Sequence, residues 1–184
     1  MRYLKPFNES FFKSRVPQIS EILNSIVDLS LDFKDEGFNL FFGVINQQMS
    51  KLVTPLPSGM PSFYHQLTEA DIRNALILNC KICILFDFKR QPRSDGRINH
   101  QFLLNGLKEG QKEIVCNTIQ SVVDFLKSES DLIVNIDYYY TLLGEYKGGY
   151  RAEGCYKSSL EDSLERVKSG ISVKNYLTFK IKDL

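Results

Sequence analysis

Asp87 and Lys89 stand two apart at the end of an apolar run, Lys81 to Lys89, and residues two apart on a strand share a face. On one face a carboxylate can ligate a divalent metal while an ammonium steadies a scissile phosphate or an attacking water. Cys80 and Cys83 have the spacing of half a zinc site or a redox dithiol. Positions three apart on a strand point to opposite faces, however, and no second Cys or His pair follows nearby. The thiols therefore read as small buried apolar groups, and no metal is expected. Histidine chemistry is limited to His65 and His100. His100 closes the polar segment Arg93-Ser94-Asp95-Gly96-Arg97-Ile98-Asn99, whose two arginines could hold a phosphate or carboxylate. An ordinary solvated turn around Asp95-Gly96 is the reading adopted.

The triplet Asp87-Phe88-Lys89 resembles the second half of the PD-(D/E)xK nuclease signature, and the order helix, strand, DxK strand, helix, strand over residues 17 to 140 is compatible with that family's core. The resemblance implies metal-dependent cleavage of nucleic acid, with Asp87 and Lys89 as its catalytic residues. That chemistry needs a further carboxylate on an adjoining strand, and residues 38 to 67 contain none. A strand end that turns polar as it leaves the core accounts for the triplet without catalysis. The sequence also lacks Walker, GxGxxG, HExxH, GxSxG and EF-hand patterns, so no cofactor is expected.

The elements that position these residues are legible from periodicity. Ile19, Ile22, Leu23, Ile26 and Val27 predict a helix from Pro17, with Gly37 as a left-handed cap beyond Glu36. Phe38 to Asn46 is short and apolar on both faces, as a buried strand is. Thr68-Glu69-Ala70-Asp71 resembles a capping box and starts a short helix, followed by the strand Lys81 to Lys89. Val115, Ile119, Val122 and Leu126 stripe a helix over Leu107 to Lys127, and Leu132 to Tyr140 follows as a strand with Leu132, Val134, Ile136 and Tyr138 facing one way. Ser158-Ser159-Leu160-Glu161 opens the last helix, and Tyr176 to Leu184 forms a half-exposed strand. The expected fold is a single α+β (or α/β) domain of four helix-then-strand units. Because the last strand is half-exposed, a mixed or antiparallel sheet with helices mainly on one face is favoured.

An N-terminal arm (1–16) and three long connections (47–67, 90–106 and 141–157) remain. Structureless loops of this length inside a compact domain are usually functional or ordered by a partner. The first holds Pro55, Pro57 and Pro61, which stiffen an extended path. The third holds Gly144-Glu145-Tyr146-Lys147-Gly148-Gly149-Tyr150-Arg151, in the manner of a hairpin tip or contact loop. The run Tyr138-Tyr139-Tyr140 and later tyrosines suit base stacking or a protein interface equally well.

Net charge decides between those two. At +1 over 184 residues, nothing pulls the whole chain onto nucleic acid or an anionic membrane. Four cysteines are too few for a disulfide scaffold, and no apolar stretch approaches the roughly 18 residues of a membrane span. Three alanines against abundant Lys, Asn, Ile and Phe reflect an AT-rich genome, such as a low-GC bacterium or one of its phages. The expectation is therefore a non-enzymatic structural or interaction subunit, cytoplasmic or in a virion, forming a homo-oligomer or ring within a larger complex. Its contacts are expected at Pro55, Pro57, Phe63 and Tyr64, and at Tyr146, Tyr150 and Arg151. The alternatives are the nuclease, or a small effector or inhibitor of one host protein.

Overall fold

A computed structural model describes residues 9–45, 64–87, 107–146, 149–169 and 172–182. Within them the order is α1 (Glu9–Leu29), α2 (Leu31–Asp35), β1 (Asn39–Ile45), α3 (Glu69–Ile77), β2 (Lys81–Asp87), α4 (Glu109–Ser128), β3 (Ile133–Tyr146), β4 (Gly149–Ser158), α5 (Leu160–Lys168) and β5 (Ser172–Ile181). The fold is α+β. One antiparallel sheet has the order β1-β2-β5-β3-β4, so the last strand inserts between the second and the third.

The five described helices lie against one face. Ile82, Ile84 and Phe86 of β2 and Leu177, Phe179 and Ile181 of β5 join Ile19, Ile26, Phe33, Ile72, Ile119 and Leu126 in one cluster. Each fully buried side chain of this kind contributes on the order of 1.5–3 kcal/mol. Phe33 of α2 sits edge-on to Phe86 at 5.7 Å and 5.1 Å from Phe38, which fixes the entry to β1.

Several boundaries differ from those the sequence predicts. The first helix begins at Glu9, so half of the expected arm is helical and Pro17 lies inside α1. Lys13 and Pro17 are both exposed, so the carbonyl that Pro17 cannot bond is on the solvent side, and buried Val16 extends the apolar stripe upstream. The expected single helix to Glu36 is broken at Ser30, whose hydroxyl donates to the Ile26 carbonyl at 2.7 Å. Gly37 takes φ 82° and caps α2 as expected. Thr68 and Asp71 form the reciprocal capping box, whereas the last helix is capped one residue later than predicted, by Ser159 accepting from Asp162 N–H.

The largest difference is the connection read as 141–157. Most of it is strand, because β3 runs on to Tyr146 and β4 returns from Gly149, adding a fifth strand to the four expected. The four helix-then-strand units are thus interrupted by a hairpin.

Candidate functional site

The face opposite the helices is built from residues that the antiparallel register aligns in rows. Phe41, Leu85, Tyr176 and Tyr139 form one row, and Gly43, Cys83, Thr178 and Asp137 form the next. Cys83, Leu85 and Tyr176 are the buried centre, with Phe41, Ile45 and Tyr139 packed around them. The His65 ring lies 4.6 Å from the Phe41 ring. Thr178 is 4% exposed, and its hydroxyl has no hydrogen-bond partner among the described residues.

Two ion-paired carboxylates, Asp137 and Asp87, frame this surface. Lys81 on β2 reaches across β5 to Asp137 on β3 at 2.5 Å, and Lys157 on β4 reaches the other carboxylate oxygen at 2.6 Å. Burial disfavours the charged carboxylate, but hydrogen bonds from Lys157 and Lys81 outweigh it and hold Asp137 below the usual carboxylate range. The same bond raises Lys157. Asp137 owes its place to a bulge: Asn135 takes φ 55°, and the register slips between Val134 and Asp137. Ile133, Ile136 and Tyr138 consequently turn to the helices, not the Leu132, Val134, Ile136 and Tyr138 set the sequence predicts, although Leu132 also packs there.

Asp87, the second carboxylate, pairs with Lys174 of β5 at 3.0 Å and is 8% exposed. Its expected companion Lys89 lies outside the described residues, as do His100, Pro55, Pro57 and Phe63. Among the described residues no group of three or more His, Cys, Asp or Glu is placed to hold a metal ion. No described helix is long and apolar enough to cross a membrane. Cys80, Cys83 and Cys116 are buried free thiols, and burial raises the pKa of Cys80 and Cys116. Cys116 borders a cleft of about 220 Å³ between α4 and α5, lined also by Glu109, Lys112 and Lys168.

The described ones among the contact residues expected from the sequence fall at opposite edges of the sheet. Tyr64 is half exposed, and its backbone N–H and C=O pair with Phe42 at 2.8 and 2.7 Å on the outer side of β1. Tyr146, Tyr150 and Arg151 come together on the β3–β4 hairpin, opposite Gly149, Glu145 and Gly144 respectively. Four inter-strand steps separate β1 from β4, or about 19 Å at the usual spacing. These residues form two surfaces, not one.

Among the described residues, pairing of β3 with β5 runs to Leu142 and Ser172, whereas pairing with β4 continues from Leu143 through Tyr146. At the base of the β3–β4 hairpin, Tyr140 stacks on Tyr156 at 5.6 Å, and the Arg166 guanidinium, held by Asp162, lies 4.3 Å from the Tyr140 ring. The Asp137 pairs cannot be read from sequence spacing, since they depend on the bulge at Asn135. No family model matches the chain, and comparison with curated proteins and with solved structures likewise finds no match.

Proposed function

We propose that this chain is a non-enzymatic interaction subunit of a larger protein assembly, with the helix-backed sheet as a rigid mount and the β3–β4 ribbon as its contact arm. The observation that carries this reading is the ribbon beyond β5, where Leu143–Tyr146 has β4 as its only partner strand among the described residues. A free two-stranded hairpin is marginally stable in water, so such an arm gains order by laying its strands against another surface. Tyr146, Tyr150 and Arg151 are residue types enriched at protein interfaces. The ion pairs of Asp87 and Asp137 serve the same reading, because they occupy carboxylates that metal chemistry would need.

The test replaces residues 144–151 by an Asn-Gly turn and measures native mass in extracts of the cells that make the protein. The intact chain is expected in a species heavier than 21.2 kDa, and the shortened chain, with unchanged circular dichroism, as a monomer. A chain that is monomeric in the extract, or whose assembly survives the loss of the ribbon, overturns the reading. Cleavage of DNA or RNA with magnesium or manganese that disappears in Asp87→Ala would replace it by the nuclease.

A further inference from the structure

We infer that residues 46–63 of this chain lie across the sheet face opposite the helices, as a third layer that covers Cys83, Leu85 and Tyr176. That layer is separate from the β3–β4 contact arm proposed above.

Side chains on an open sheet face stand off the sheet with their tips in water, and such a face is polar. This face is not. Cys83 is 0% exposed, Leu85 3% and Tyr176 5%, as little as the residues beneath the helices. Yet the described helices pack on the other side, where Ile19 of α1, Phe33 of α2, Ile72 of α3, Ile119 of α4 and Val167 of α5 share one cluster. The cluster of Cys83, Leu85 and Tyr176 draws among the described residues on strands alone, with the His65 ring against Phe41 at its margin. These exposures are those of a single chain, so the cover comes from the chain itself and not from a second copy.

Three longer stretches lie outside the described residues: 1–8, 46–63 and 88–106. Residues 1–8 lead into α1, which belongs to the helix layer. Residues 88–106 leave β2 beyond Asp87 and carry Lys89, Arg90, Arg93 and Arg97 against one acid, Asp95. The rim of the face already holds Lys81, Lys157 and Lys174 against Asp87 and Asp137, so like charge disfavours that stretch, and the apolar centre disfavours it again. Residues 46–63 differ on both counts. They hold one charge, Lys51, and six large apolar residues, Met49, Leu52, Val53, Leu56, Met60 and Phe63. Both of their ends also meet this side of the sheet: they leave β1 after Ile45, which packs on the buried cluster, and return at Tyr64, bridged to Phe42, and His65, set against Phe41. From β1 to β5 is two inter-strand steps, about 10 Å, which a chain of this length crosses and recrosses.

Cys83 reports on the cover. In a chain carrying Cys80→Ala, Cys116→Ala and Cys155→Ala, its reaction with a chromogenic disulfide reagent is followed before and after residues 48–61 are replaced by Gly-Ser-Gly-Ser. The shortened chain, at unchanged circular dichroism, is expected to react about tenfold or more faster than the full-length one. Shortening residues 90–104 in the same way is expected to leave Cys83 protected. A folded chain that lacks residues 48–61 and still protects Cys83 overturns the inference, as does protection lost on shortening 90–104. Protection that falls on dilution of the full-length chain assigns the cover to a second copy and overturns it too. Where the shortened chain does not fold, the intact chain decides: Met49 and Met60 are expected to resist hydrogen peroxide until urea unfolds the protein. Oxidation of both in the native chain at the unfolded rate overturns the inference.

Discussion

Lys81 and Asp137 are 56 residues apart in sequence, yet their side chains meet at 2.5 Å across the intervening strand β5, both largely shielded from solvent. The pair ties β2 to β3, two strands that share no backbone hydrogen bonds. Removing the carboxylate leaves a shielded ammonium without its partner. Asp137→Ala is therefore expected to destabilise the fold by about 1–3 kcal/mol, read as a lower urea midpoint at unchanged slope.

The same group sets a pH dependence. Its carboxyl titrates lower in the folded chain than in the unfolded one, so its contribution is full above the unfolded value, about 4, and is lost as pH falls through the folded value. The urea midpoint should fall between pH 5 and pH 3. Asp137→Asn should flatten that decline, and an equally steep decline in the variant would show that other carboxylates govern it.

Thr178 offers the opposite sign. Its hydroxyl is buried without a hydrogen-bond partner among the described residues, so the shape-conserving change Thr178→Val should be neutral or stabilising by up to about 1 kcal/mol. Thermal unfolding reads this directly. A clear loss of stability would mean that the hydroxyl is satisfied in solution, for instance by a buried water.

Asn135 sits at φ 55°, a region that glycine enters freely and β-branched residues resist. Asn135→Gly should be close to neutral. Asn135→Val should cost about 1–2 kcal/mol, and the loss should shrink in an Asp137→Ala background if the bulge serves to aim that carboxylate.

The N-cap of α3 gives a local check on the capping box. Thr68 accepts from Asp71 N–H at 3.2 Å while its own N–H donates to the Asp71 carboxylate at 2.9 Å. Thr68→Ala should cost about 1 kcal/mol in urea unfolding, whereas Thr68→Ser should cost little.

What the sequence discloses depends on whether periodicity survives along an element. On α4 the predicted stripe of Val115, Ile119, Val122 and Leu126 is buried throughout, because twenty helical residues repeat one pattern without interruption. On β2 the alternation of Ile82, Ile84 and Phe86 survives for the same reason. Residues 144–151 read as a hairpin tip, but the length of its two strands escapes notice because Gly144, Gly148, Gly149 and Gly154 resemble loop punctuation, and the shift near Leu142 breaks the alternation that marks a strand. Asn135 hides the facing of Asp137 likewise: one left-handed residue reverses the parity of all that follows, and nothing in the neighbouring side chains announces it. Pro17 masks the start of α1, since proline reads as a helix beginning unless burial at Val16 is known. Residue spacing shows Asp87 and Lys89 as neighbours on one strand but is silent about Lys174, which arrives from far along the chain.

The position of β5 has a consequence for how the protein is made. During synthesis β1–β2 and β3–β4 emerge as two separate antiparallel pairs, and the strand that joins them leaves the ribosome after both. Until it does, β2 and β3 each expose an inner edge that the finished sheet conceals, and Ile84, Phe86 and Tyr139 await their cross-strand neighbours. Non-local closure of this kind is slow and leaves nascent chains open to wrong pairings, so a ribosome stalled before Ser172 would hold two halves of a sheet without a seam.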